Sequence, residues 1–250
     1  GTSWYEMSSN TSNSLKGVWG SSSSDVFAVG DAGTIFHYDG NSWTAMQSGI
    51  SMSINGIWGS ASNDVFAVSW EGTILHYDGT DWSKMSTGNI FVGFLDIWGS
   101  ANDDVFAVGE NGTILHYNGA DWNQMSSGLT NPPALNSVWG SANDDVFAVG
   151  DDNTIIHYDG QNWSAMSSAL NEPLLKFKHI WGNANNNVFT VGDFGIIMHY
   201  NGQNWSLMSS GVPMTIGFLG IWGNSNSNVF TVGTNGTIIK YNGSNWTTIS

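Results

Sequence analysis

The chain has 250 residues, with 20 acids against five Lys, no Arg, no Cys and a net charge of −15 at pH 7. Such a chain is repelled by nucleic acid and by anionic membrane surfaces, and without Arg it has no planar fork for gripping phosphate or carboxylate. Zero Cys excludes disulfides, thiolate metal sites and Cys nucleophiles, while no apolar run reaches the roughly 18 residues of a membrane span and no segment reads as a signal peptide.

In chain order, residues 3–8 come first (Ser3-Trp4-Tyr5-Glu6-Met7 and Ser8) and read as an outer strand with no unit before it. Six copies of one unit follow, over about 15–48, 54–88, 94–128, 135–169, 178–211 and 219–250. The first reads GVWGSSSSDVFAVGDAGTIFHYDGNSW from Gly17 to Trp43. Trp19, Trp58, Trp98, Trp139, Trp181 and Trp222 open the units, and a closing Trp stands 24 positions after each. Each unit holds four short extended segments separated by Gly-Asp, Asn-Gly or Asp-Gly, dipeptides suited to turns with positive φ. In Val26-Phe27-Ala28-Val29 the residues pointing to either side are apolar, so the strand must be covered on both faces. Four-stranded sheets repeated at this period and packed between neighbours predict one all-β domain over 1–250, a β-propeller of six four-stranded blades. Residues 3–8 are then a surplus outer strand, because the sixth unit already owns one at Asn245–Ile249.

The DVFAVG, GTILHYDG and closing-Trp motifs make the chain resemble the secreted bacterial propeller arrays built on VWGSxxxDVFAVGxxGTILHYDGxxW. The likeness implies the fold and an extracellular or cell-surface location, but no general activity. Looser likenesses are to kelch strands, at Tyr38-Asp39-Gly40 and Trp43, to the Asp-box of sialidase-like propellers, and to tectonin repeats. The kelch Gly-Gly doublet is missing and Asp39 and Trp43 are four apart rather than five, so no activity transfers.

Five units place His37, His76, His116, His157 and His199 at one position, where the sixth has Lys240. Equivalent positions in six blades lie too far apart to share an ion, so each His is expected to bond within its blade, to Asp25 or its equivalents. Asp25, Asp64, Asp104 and Asp145, with Asn187 and Asn228, are expected to fix the turn before the second strand. Asp39, Asp78 and Asp159, alternating with Asn118, Asn201 and Asn242 before Gly, read as turn formers. The pairs Asp103-Asp104 and Asp144-Asp145 are candidate Ca²⁺ ligands, without EF-hand spacing; no other cofactor is implied. His179 falls outside the repeat and reads as a loop residue. Gly-x-Ser-x-Gly, His-Glu-x-x-His, an arginine cluster and a paired-carboxylate break in the pattern are all missing, so no enzyme is expected.

Function is expected where the repeats differ. From closing to next opening Trp the spacing varies as 15, 15, 16, 17, 18 and 17. These links share a blade end with the turns between second and third strands, and that end is the expected binding face. Its candidate ligand residues are Trp70, Glu71, Phe91, Asp151, Asp152, Asp193 and Phe194. Aromatic faces beside carboxylates suit sugars, which points to a non-catalytic module recognising a glycan or a surface protein. The alternative is a structural subunit of a surface layer, filament or multi-repeat stalk, self-assembling or held in a larger protein. Charge also divides the chain: residues 1–160 carry 18 acids and two Lys, and residues 161–250 two acids and three Lys. Acceptor sequons stand at Asn10, Asn111, Asn162, Asn204, Asn235, Asn242 and Asn245.

Overall fold

A computed structural model describes residues 7–9, 11–88 and 90–249. It contains six four-stranded antiparallel sheets, each in simple sequence order, and no α-helix among the described residues. The chain is a six-bladed β-propeller. In the first blade the strands are β1 (Leu15–Ser22), β2 (Asp25–Gly30), β3 (Ile35–Tyr38) and β4 (Trp43–Met46). The other blades begin at Ile54, Phe94, Leu135, Phe177 and Phe218 and end at Met85, Met125, Ala165, Met208 and Thr248. The expected extra strand at 3–8 lies largely outside the described residues, and Met7 and Ser8 are in no strand.

The alternation read from the sequence explains the register. Val26 pairs with Gly20 and Tyr38, and Phe27 with Trp19 and His37, so β2 is the second of four strands and is paired along both edges, and Phe27, Ala28 and Val29 are buried. A bulge between Gly20 and Ser22 recurs in the other described pairings, next to the two-residue turn into the second strand. The contacts fall into two compact units, one ending at Ile97 and one starting at Trp98. In the first, Phe27, Val29 and Ile35 of blade one pack on Ile54, Ile57, Val65 and Leu75 of blade two. In the second, the same layer repeats three times, with Phe106, Phe147 and Phe189 each buried against the following blade. Burying a Phe and its branched neighbours stabilises each layer by about 2 kcal/mol per side chain.

His179 is not in a loop. It belongs to the first strand of blade five, Phe177–Ala184, and pairs with Val191. The link before it, from Trp163 to Trp181, is the longest of the closing-to-opening intervals.

Candidate functional site

The repeated polar groups resolve first, because they show what is committed to folding. His37 Nε2 donates to Asp25 Oδ1 at 2.6 Å while its ring stacks on Phe27 at a centroid distance of 4.4 Å. The second oxygen of Asp25 accepts from the Ser21 hydroxyl. The same trio appears as Ser60–Asp64–His76, Ser100–Asp104–His116 and Ser141–Asp145–His157. In blade five Asn187 replaces the acid; its Oδ1 accepts from His199 at 2.7 Å and its amide donates to Asn183. Burial pushes His199 below the usual histidine range. The sequence reading thus held for the His partner. It needs correction for Asp25 and its equivalents, whose carboxylates serve the side chains of His and Ser rather than turn backbone. The Ser hydroxyl donates to the carboxylate rather than to the imidazole.

The second set of acids does fix turns. Asp39 Oδ1 accepts from the backbone N–H groups of Asn41 and Ser42 at 2.8 and 2.9 Å. Asp78, Asn118, Asp159, Asn201 and Asn242 repeat the arrangement. The N–H of Ser42, then that of Asn41, holds the Asp39 carboxyl below its ordinary value.

Among the described residues no three His, Cys, Asp or Glu side chains converge as metal ligands. Asp104 and Asp145 are engaged as above, and Asp103 and Asp144 stand beside Gly119 and Gly160 of the third-to-outer-strand turns. Asn111, Asn162, Asn204, Asn235, Asn242 and Asn245 are all exposed, and Asn10 lies outside the described residues.

The links and the second-to-third-strand turns do meet at one blade end. In the first unit Gly33 lies against Ile50 and Ser48, and Gly72 against Ile90. In the second, Gly112 lies against Pro132 and Gly195 against Val212. Trp70 is half-buried and lays its ring on Gly93, where a Cβ would come within 1.9 Å of it. It is therefore a lid on its own link, with Glu71 exposed beside it. Asp31 is bound by Lys16 at 2.8 Å and by the Ser53 hydroxyl at 2.7 Å, and Lys16 and then Ser53 lower its pKa. An open groove of about 670 Å³ follows, lined by Ala32, Met46, Ile50, Met52, Glu71 and Lys84 among others.

In the second unit Asp151 takes the place of Asp31. Burial raises its carboxyl, but Lys176 at 2.5 Å and Asn136 at 2.9 Å outweigh this and hold it low. Lys176 is pushed up, first by its bond to Asp151, with Asp193 and Asp152 adding to the field. The links here leave Leu174 80% and Met214 74% exposed, as the first unit leaves Phe91 81% exposed.

Each turn needs a residue in the left-handed region. Asn111, Asn235 and Asp152 suit it, but Phe194 occupies it at φ 60° with 54% of its surface exposed. A bulky side chain in that conformation costs on the order of 1 kcal/mol, and more than half of the residue's surface stays in solvent. The signal was in the sequence, since Phe194 aligns with Asn in two other blades, but only the backbone angle makes it a cost.

Solved structures share this architecture at low sequence identity. The structure titled "YCF48 bound to D1 peptide" matches with a TM-score of 0.76 and 17% identity, over 95% of this chain and 81% of that one. YCF48 from Cyanidioschyzon merolae matches at 0.76 and 12%, over 96% and 86%. The WD40 β-propeller domain of Doa1 matches at 0.79 and 10%, over 96% and 83%. No family model and no curated protein matches the chain. The likeness is one of fold.

Proposed function

We propose that the chain is a non-catalytic interaction module, working outside the cell or at its surface, that holds a peptide segment of another protein at the end carrying links and second-to-third-strand turns. The observation that carries this reading is Phe194, a bulky aromatic 54% exposed in a left-handed turn position where the other blades place Ala32, Glu71, Asn111, Asp152 and Asn235. Leu174 and Met214 add exposed apolar anchors on links of the same unit, and Lys176, Asp151 and Asp193 supply its polar groups. Anchors of this type carry most of the energy in peptide and protein recognition. Propellers of this fold accept such partners, one neighbour having been solved with a bound peptide. The resemblance to secreted bacterial arrays supports the location. Glycan recognition, to which the aromatic and carboxylate residues first pointed, is the competing outcome.

The test pairs binding with stability. Wild type and Phe194→Asn are applied to a peptide array and a glycan array. The variant should gain about 1 kcal/mol in urea unfolding, since Asn tolerates the left-handed region. It should also lose at least tenfold in binding to whichever peptides the wild type retains. Trp70→Ala, at a lid, should cost stability first and binding only through it. Equal retention by wild type and Phe194→Asn overturns the peptide face, and retention of glycans but not peptides replaces the ligand.

A further inference from the structure

Because each blade is a four-stranded antiparallel meander, its first-to-second-strand and third-to-outer-strand turns share the end opposite the links. In the second unit the layers between blades three, four, five and six reach that end with different linings. Between blades four and five an open groove of about 420 Å³ is lined by Asp145, Asn185, Asn186, Tyr200, Asn201 and Gln203. This volume is in the range of small-ligand sites, about 300–1,000 Å³.

The fold fixes the groove's shape and leaves its polar groups unused. Gly202, at φ 91°, lets the two turns of blade five touch, since a Cβ there would stand 2.8 Å from that of Asn186. Asn201 Oδ1 accepts from the N–H groups of Gln203 and Asn204 at 3.0 and 2.9 Å, so the oxygen serves the turn while the Nδ2 donor has no partner among the described residues. Asn185, Asn186 and Gln203 are exposed, and their side-chain amides are likewise unbonded among the described residues. Burial, then Asp145, pushes Tyr200 above the ordinary phenol range and keeps its hydroxyl protonated.

The neighbouring layers show what is particular to this one. Between blades three and four the matching residues are Asp104, Asn143, Asp144, Tyr158, Asp159 and Gln161, so carboxylates replace two of the amides. Between blades five and six the amides bond one another: Asn183 donates to Asn226 across the layer and accepts from Asn187. In the middle layer Ser141 stands in the place of Asn183 and its hydroxyl donates to Asp145. Asn185, the match of Asn226, is thereby left for a ligand.

Four primary amides place donors and acceptors side by side, as the vicinal hydroxyls of a sugar do. No Lys lines the groove to neutralise an anion beside Asp145, and none of the six side chains named is aliphatic, so an apolar peptide anchor would find no pocket. We propose that this groove binds one neutral pyranose unit of a glycan, its hydroxyls bonded by Asn185, Asn186, Asn201 and Gln203. The site is independent of the peptide reading and lies at the opposite blade end.

An NMR titration of the ¹⁵N-labelled chain with the methyl glycosides of glucose, galactose, mannose and N-acetylglucosamine provides the test. At least one should give saturable shifts of the side-chain amides of Asn186, Asn201 and Gln203, while those of Asn143 and Gln161 stay in place. Asn186→Asp combined with Asn201→Asp gives the groove the lining of the preceding layer, and Gln203→Ala gives it the residue that blade three has at Ala120. These residues already fold in matching turns, so the urea midpoint at pH 7 should be unchanged. The double variant loses two donors and should bind the sugar about tenfold more weakly, and Gln203→Ala about threefold. Phe194→Asn should bind it as the wild type does. No saturable shift with any of the four sugars overturns the proposal, as do equal shifts at Asn143 and Gln161 or wild-type affinity in the double variant. Sugar binding that is lost in Phe194→Asn instead belongs to the link end and overturns it too, whereas failure of the peptide reading alone leaves these shifts intact.

Discussion

Blades three and five have the same strands, turns and apolar layers, yet they satisfy one buried polar position with different atoms. In blade three the Asp104 carboxylate accepts from His116 at 2.7 Å and Ser100 at 2.5 Å. In blade five the Asn187 amide accepts from His199 and must donate its own N–H to Asn183, so residue 183 has changed from a hydroxyl donor to an amide acceptor. Blade six keeps the Asn pair, Asn228 to Asn224 at 2.7 Å, and replaces the His with Lys240. The scaffold therefore needs an oxygen acceptor there and not a charge. The acids of the first four blades set the protein's field without being required by its fold, and this is why the net charge of the two parts can differ so widely.

The sharpest way to break that comparison is to remove the acceptor from each blade. Asp104→Leu should destabilise the chain by about 3 kcal/mol, because it strands two donors that had bonded to a charged group. Asn187→Leu should cost about half as much, about 1.5 kcal/mol, its bonds being neutral. Urea unfolding at pH 7 measures both. Equal losses would mean that the carboxylate contributes nothing beyond its shape.

Exchanging the acceptors instead of removing them has a smaller, pH-dependent effect. Burial lowers His199, so the folded state favours the neutral ring. That contribution is complete above the unfolded histidine value of about 6.5 and is lost as the pH falls below it. Asn187→Asp places a carboxylate beside Nε2, which favours the imidazolium and moves the His199 pKa upward. The variant should therefore gain on the wild type by about 1 kcal/mol between pH 7 and pH 5. An NMR titration in which His199 stays low in the variant would show that Asn183 turns the new carboxylate away.

Much of this was readable in the residues. The 24-residue Trp spacing, two-sided apolar second strands and Asp-Gly turns are local chemistry copied six times, so the propeller and the His–Asp pairing followed from one unit. Two things did not. Trp70 read as a candidate ligand residue, but Gly93, in the next link, receives its ring. Phe194 passed as one more aromatic because a residue type does not reveal its φ. Each depends on a neighbour or an angle rather than on the residue itself.

The mildest test concerns the exposed turns, where the same Asp-to-Asn exchange occurs without burial. Asp39, Asp78 and Asp159 are held below the ordinary carboxylate value first by the backbone N–H three residues on, then by the one two residues on. Their support is complete above the unfolded value of about 3.9 and is lost as the pH falls through the lower folded value. Asn118, Asn201 and Asn242 make the same bonds with a neutral oxygen that does not titrate. On acidification the amide resonances of Asn41 and Ser42 should move together at a pH below 3.9, while those of Ala120 and Asp121 follow no titration of Asn118. Asp39→Asn should abolish the movement at Asn41 and leave the urea midpoint at pH 7 nearly unchanged. Should that midpoint drop sharply, the charge itself would be needed at the turn, and the separation of field from fold drawn from blades three and five would fail at the site where solvent makes it easiest to satisfy.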